Sequence, residues 1–529
     1  MKPLLILACC CVLLPLAARG HVGSPNVFFE GKAGPYPLRV IIRPPAALPG
    51  IAHVDVRVTG EAVTNVSVQA ALWEAGVEAA PVPVLAMAVA GETNLFNTPL
   101  WLLRGGSYHV RVAVEGWRGH GTAVVPLNAA ASQRPAMSRS LVTTLVALGI
   151  FLVAAIVWLA GATARDSTLE PGATPTVREH LRARSVMLGV IVLLTGGTYA
   201  CGVRWQTMDR EFRNRVLYKP LPVVATVRTN GTLRLLHLTP TPDNSGAARW
   251  DTLVADHGKL MHVFLLRDPD FNAFAHLHPV RRDARTFENV LPPLPAGSYR
   301  LYVEITHESG LSQTLTANVS LPATVGSAAQ SMRSSNMLNE VFCLPVAAPA
   351  GNAPQPFTLD ADDSWHASPA PNARPSSGIP ISKMMDGHNM VFRNTSDLIE
   401  NRETSLRFAL FTPEGQPAKL QPYMGMLGHA IVRRSDGEVF THLHPIGNIS
   451  MAAQELLLQR EVGENRLAGD LSQINSAMRL PATPIDSAAN EVAFPYAFPR
   501  GGDYRLWVQV RTSGRVLTGV FDLPVKPAP

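Results

Sequence analysis

The sequence predicts a mainly β protein: three immunoglobulin-like β-sandwich modules plus two transmembrane α-helices. Three observations carry this expectation. Short runs such as His53-Val54-Asp55-Val56-Arg57-Val58 alternate apolar and polar residues, the pattern of a strand with one buried face. One strand signature recurs, as Gly106-Ser107-Tyr108, Gly297-Ser298-Tyr299 and Gly502-Asp503-Tyr504, and each copy precedes a last strand ending near Pro126-Leu127, Leu321-Pro322 or Leu523-Pro524. A late Gly-x-Tyr strand followed by a terminal strand fits an immunoglobulin-like sandwich, with the tyrosine hydroxyl tying a corner and its ring filling the core. Lastly, Leu141–Ala162 and Val186–Val203 are uncharged apolar runs long enough to cross a bilayer.

In chain order, residues 1–20 have the make-up of a secretory signal peptide: Lys2, an apolar stretch from Leu4 to Ala17, and small residues around Ala18-Arg19-Gly20. An uncleaved anchor is the alternative. Residues 21–130 then form an exported sandwich, 141–162 the first transmembrane helix, 163–185 a cytoplasmic loop and 186–203 the second helix. Arginines lie both in that loop (Arg165, Arg178, Arg182, Arg184) and beyond the second helix (Arg204, Arg210, Arg213, Arg215), so the positive-inside bias does not choose a side. Orientation rests on the signal peptide and on the parity of two spans. Sandwiches at 216–323 and 350–526 follow on the outer side, separated by an Ala-, Ser- and Pro-rich linker at 324–349. The last sandwich carries an insert, 445–490, in which Met451–Val462 is expected to form an amphipathic helix. The expected location is a bacterial inner membrane, with the N- and C-terminal domains on the periplasmic side.

Composition narrows the function. Of 529 residues, 47% are apolar and only 16% charged, which is low for a purely soluble chain. The net charge of +6 comes from scattered arginines with no basic stripe, so no nucleic-acid partner is expected. Cys9, Cys10 and Cys11 would leave with the signal peptide, while Cys201 lies in a span and Cys343 in the linker, so there is no disulfide framework. Nucleophile-elbow, phosphate-loop, dinucleotide and Cys-x-x-Cys patterns are absent from the mature chain, and a non-enzymatic protein is expected. A redox activity of bound copper stays compatible with the motifs below.

Modules two and three share a histidine hairpin. The first copy runs Asp256-His257-Gly258-Lys259-Leu260-Met261-His262, then Phe274-Ala275-His276-Leu277-His278-Pro279. The second runs Tyr423-Met424-Gly425-Met426-Leu427-Gly428-His429, then Phe440-Thr441-His442-Leu443-His444-Pro445. Residues two apart on a strand share a face. Asp436-Gly437 is a two-residue hairpin turn, and pairing across it sets His429 opposite His444 with His442 on the same face. The first copy sets His262 opposite His278 in the same way. Three imidazoles per hairpin, with His257, Met424 and Met426 near them, suit a copper ion ahead of zinc, because thioether sulfur favours Cu(I). The competing reading is a packed, hydrogen-bonded set of strand histidines, with the methionines as core filling. His21 would be a separate Cu(II) chelate if it became the mature N-terminus, or else an ordinary terminal histidine.

Asp256–His262 with Phe274–Pro279 resembles a pattern found in uncharacterised exported bacterial membrane proteins. The opening His21-Val22-Gly23-Ser24-Pro25 and Gly34-Pro35-Tyr36-Pro37 resembles YtkA-like and FixH-like proteins. That resemblance implies small sandwich domains in the style of copper carriers and, loosely, copper handling. The leading expectation is therefore a membrane-anchored, envelope-facing metal-binding protein concerned with copper transfer, sensing or tolerance. The alternative is a metal-free scaffold of sandwiches that binds another envelope protein.

Overall fold

The alternating runs pair into antiparallel strands. The computed structural model describes residues 26–528 apart from 61, 77, 133–136, 171, 216, 220, 231–232, 242–249, 324–359, 369–379, 385 and 462–488. The expected signal peptide, His21 and the linker 324–349 lie outside the described residues. The chain divides into two compact units, Ala131–Tyr218 and the flanking segments taken together.

The larger unit contains three two-sheet sandwiches. The first stacks Val27–Ala33, Tyr36–Arg43, Gly50–Val58, Leu95–Leu102 and Met87–Ala88 against Val84–Leu85, Asn65–Leu72, Gly106–Gly116 and Gly119–Ala129. The second has a sheet of Val223–Asn230, Leu233–Pro240, Phe287–Val290 and Val280–Arg281. Its other sheet holds Leu253–Val254, Gly297–His307, His262–Arg267, Ala273–Leu277 and Ser364–Ala367, with Ser312–Leu321 paired to Gly297–His307. The third has Ile381–Lys383, Asn389–Phe392, Thr404–Phe411 and Glu491–Tyr496 against Leu398–Ile399, Arg515–Lys526, Gly502–Thr512, His429–Arg434 and Phe440–Leu443.

The repeated tyrosines tie corners as expected. Tyr108, Tyr299 and Tyr504 each donate a hydroxyl to the carbonyl four residues back, on Arg104 (2.9 Å), Pro295 (2.8 Å) and Arg500 (2.7 Å). The glycine two residues earlier has φ of 144°, 140° or 134°, a region open to glycine alone. One boundary moves. Ser364–Ala367, assigned by sequence to the third module, pairs with Ala273–Leu277 and completes the second module's sheet. The insert does hold a helix, Met451–Glu461. It bridges modules: Gln454 Nε2 donates to the Val124 carbonyl (2.8 Å), and the Arg460 guanidinium lies 4.4 Å from the centre of the Trp73 ring.

The smaller unit is a pair of helices, Arg139–Asp166 and Val177–Arg215, both long and apolar enough to cross a membrane. They run beyond the apolar stretches at both ends, so the expected loop 163–185 shrinks to the residues between the helices. Ser138 caps the first helix by accepting from the Leu141 N–H (3.3 Å). A Thr-x-x-Glu box opens the second, with the Thr176 hydroxyl donating to Glu179 (2.9 Å). Thr143 and Thr144 return their hydroxyls to carbonyls one turn back, which hides those donors from an apolar surround. The helices meet at Gly161, where a Cβ would fall 2.6 Å from Met187 atoms.

Candidate metal centre

Strand parity positions the centre. On His262–Arg267, Val263 and Leu265 enter the core of the second sandwich, while Phe264 and Leu266 point the other way. On His429–Arg434, Ala430 and Val432 enter the third core, and Ile431 points away. The two outward faces pack against each other. Phe274 stacks on Trp507 (centroids 5.2 Å) and Tyr302 on Phe440 (3.8 Å), so each sandwich offers an aromatic to its counterpart in the other. Both pairings show a pseudo-twofold relation between the modules. The histidines share this parity and are buried between the two sheets.

The predicted registers are present. Val263 pairs with Leu277, and Ala430 with Leu443, which sets His262 opposite His278 and His429 opposite His444. The Nδ1 of His262 lies 3.1 Å from the Nε2 of His276, and the Nδ1 of His429 lies 3.1 Å from the Nε2 of His442. The two sets meet: the His442 ring centre is 5.5 Å from that of His276 and 5.8 Å from that of His262. Phe264 forms an apolar wall, stacked on His276 at 4.4 Å and 5.1 Å from the His442 ring.

The outer nitrogens fix the tautomers. His262 Nε2–H donates to the Asp256 carbonyl (3.1 Å), and His276 Nδ1–H to Gln509 Oε1 (2.9 Å). His278 Nδ1–H donates to Asp363 (2.9 Å). In the second copy His429 Nε2–H donates to the Tyr423 carbonyl (3.2 Å), and His442 Nδ1–H to Glu304 (3.1 Å). A carbonyl or carboxamide oxygen can only accept, so the inner nitrogens of neutral His262 and His276 are both lone pairs. With both hydrogens turned outward, these two nitrogens face each other as lone pairs at 3.1 Å. Such a contact is repulsive unless a cation sits beside both. Nitrogens on a tetrahedral ion with bonds of about 2.0–2.1 Å lie roughly 3.3 Å apart.

A proton is disfavoured as that cation. Burial, aided by neighbouring imidazoles, holds His276, His278, His429 and His444 well below the usual 6.5 and brings His262 down to about 3. Burial also lowers His257. Asp363 is pushed up to about 7 by its own burial, against the pull of donors on Asn289 and the His278 backbone.

His257 is placed differently from its expectation. Sequence reading set it as a fourth ligand beside its own hairpin. The structure sends it across to the other copy, with Nδ1–H on the Met424 carbonyl (3.1 Å) and Nε2 3.2 Å from His444 Nε2. Two compact groups of possible ligand atoms result, His262/His276/His278 and His257/His429/His444. A third, His278/Asp360/Asp363, shares a histidine with the first, but Lys259 already holds Asp360 (2.6 Å). Met424 occupies the turn position of His257 and Met426 that of Lys259: the bridges Asp256–Lys259 and Tyr423–Met426 are equivalent. Sequence reasoning missed Asp256, Glu304, Asp363 and Gln509. A signal existed for two of them. Glu304 and Gln509 follow Gly297 and Gly502 at the same interval in the repeated strand, where the first sandwich has Ala113.

Residues 383–527, which include the second hairpin, match a family model described only as a domain of unknown function (DUF8832). No curated protein matches. Among solved structures, the chain is similar to the FN1–FN3 domains of chicken CNTN1, at 8% identity and TM-score 0.13, covering 92% of this chain and 97% of that one. It is also similar to a tetra-tandem repeat from the extending region of a large adhesion protein (10%, TM-score 0.14, 90% and 96%) and to a putative membrane anchored protein from Corynebacterium diphtheriae (9%, TM-score 0.13, 96% and 96%). These TM-scores are low enough that the fold rests on the sheets themselves.

Proposed function

We propose that this chain is a membrane-anchored, envelope-facing protein that holds copper in a buried histidine centre between its second and third sandwiches, and that it is not an enzyme. The observation that supports it most is the pair of inner nitrogens at 3.1 Å, His262 with His276, whose outer N–H groups are already committed. Each such ring has the form of a metal ligand oriented by an acceptor behind it. Neutral imidazoles suit copper or zinc, and methionine in the same loops favours copper. Complete burial of His276 and His429 fits retention of the ion, with exchange requiring the two sheets to part. Such a protein would serve tolerance or sensing more readily than rapid transfer. That the larger unit is built from chain on both sides of the helix pair supports a reading with two crossings and both flanks on one side. The apolar N-terminal run, read as a signal peptide, makes that side the outer one.

The test is titration of the full-length, chelator-treated protein in detergent with Cu(I), Cu(II) and Zn(II). Stoichiometric copper, lost when His276, His278, His442 and His444 are all changed to alanine, is expected. A second reading is a metal-free scaffold, favoured by the stacked pairs Phe274–Trp507 and Tyr302–Phe440, which hold the sandwiches together without an ion. It predicts no stoichiometric metal, and a four-alanine variant that loses stability only.

A further inference from the structure

The centre has pseudo-twofold symmetry, and its contacts are exchanged between the modules. Gln509 of the third sandwich orients His276 of the second, while Glu304 of the second orients His442 of the third. Glu304 pairs with His262 and Gln509 with His429, so the two acceptors are equivalent. His257 reaches from the second sandwich to His444 of the third. The same operation carries His257 onto Met424 and His444 onto His278. The two loops share their backbone: His257 and Met424 have φ of 52° and 48°, and each precedes a glycine at 77° or 80°. A non-glycine residue in that region costs on the order of 1 kcal/mol and persists where its side chain is needed. Met424 is buried, and the Nε2 of His278, also buried, has no hydrogen-bond partner among the described residues.

We propose that Met424 crosses to the first triad as His257 crosses to the second, so that the centre holds two unlike ions. One site is His262, His276, His278 and the Met424 thioether. The other is all nitrogen, with His257, His429 and His444; His442, expected as a ligand and the counterpart of His276, is outside that compact group although its Nε2 lies 3.1 Å from His429 Nδ1. Thioether sulfur is a soft ligand that selects Cu(I), whereas an imidazole-only site accepts Cu(II) or Zn(II) as well. Met426 stands at the position of Lys259, whose ammonium pairs with Asp360 and Asp362 instead of the histidines, and it is assigned to neither ion.

This rests on the reading of the centre as a copper site, and the test separates the two. Full-length protein is loaded with one equivalent of Cu(I) and studied by X-ray absorption. A sulfur scatterer is expected beside the nitrogens. It should vanish in Met424→Leu and Met424→His and survive in Met426→Leu. Met424→Leu should also weaken one of two Cu(I) equivalents at least tenfold and leave Zn(II) binding at the other unchanged. Copper bound through nitrogen alone in the unaltered protein, or a sulfur signal that persists in Met424→Leu, overturns the proposal and leaves the copper reading intact. Failure to bind any copper overturns both.

Discussion

Gln509→Leu separates a metal ligand set from a packed cluster of histidines. Gln509 is fully buried. Its Oε1 accepts from His276 Nδ1–H at 2.9 Å, and its amide donates to Ser364. In an ordinary core, deleting such a carboxamide strands two partners at about 1–3 kcal/mol each. Here one partner has an escape. Freed of Gln509, His276 can move its proton to Nε2 and donate to the His262 lone pair 3.1 Å away, which replaces the lost bond and removes the facing lone pairs. The metal-free variant should therefore lose only about 1 kcal/mol, chiefly from Ser364. Metal then has to displace that new bond and bind a ring with no acceptor behind it. Affinity should fall about 10–100-fold. Denaturant unfolding of the chelated protein, Cu(I) competition with a chromophoric chelator, and nitrogen NMR of the imidazole tautomers measure the three quantities. A loss of 3 kcal/mol or more with unchanged copper affinity would refute the tautomer argument.

Four further outcomes are expected. Copper at about 1,000 times its Kd should add roughly 4 kcal/mol, and the melting temperature should rise on the order of 10 °C, because ligands come from both sandwiches. A melt that is indifferent to copper would count against the centre. The metal-free protein should lose stability as pH falls below about 6.5, since the unfolded chain then gains protons on histidines that the folded chain keeps neutral; chelated melts from pH 8 to 5 read this. Trp507→Ala should cost about 3–5 kcal/mol and weaken both ion sites together, as the indole stacks between the sandwiches; titration would show whether one site survives. Tyr504→Phe should cost about 1 kcal/mol by freeing the Arg500 carbonyl and leave copper binding unchanged.

The sandwiches were legible because their signals are local. Alternation in His53–Val58, the Gly-x-Tyr strands and the Asp436-Gly437 turn each act within a few residues, and the hairpin registers followed from the turn. What lay beyond reach depends on both faces of one strand. Alternation tells a buried face from an exposed one, but Val263 and Phe264 are both apolar, and nothing in their order says that Phe264 meets another sandwich. The sequence therefore left open whether the two hairpins form one site or two. Asp363 was hidden for a different reason: it enters on Ser364–Ala367, an edge strand delivered from far along the chain, and edge pairing leaves no periodic trace.

An internal repeat also allows what a symmetric dimer does not. An isologous interface between identical subunits repeats every contact, so a ligand gained on one side is gained on the other. Joining the two halves in one chain removes that constraint while keeping the exchanged geometry. The centre differs in Gln509 against Glu304, Met424 against His257, and Asp363 behind His278 with no counterpart behind His444, whose Nδ1 has no partner among the described residues, and the packed face differs too, in Phe264 against Ile431 and Leu266 against Arg433. The stacked aromatics that hold the sheets together keep their pairing in both directions. Unlike ligands in a single interface are what two unlike ions side by side would require. A scaffold would need only the aromatic stacks, and a packed histidine cluster that commits its outer hydrogens in this way leaves its inner lone pairs facing one another uncompensated.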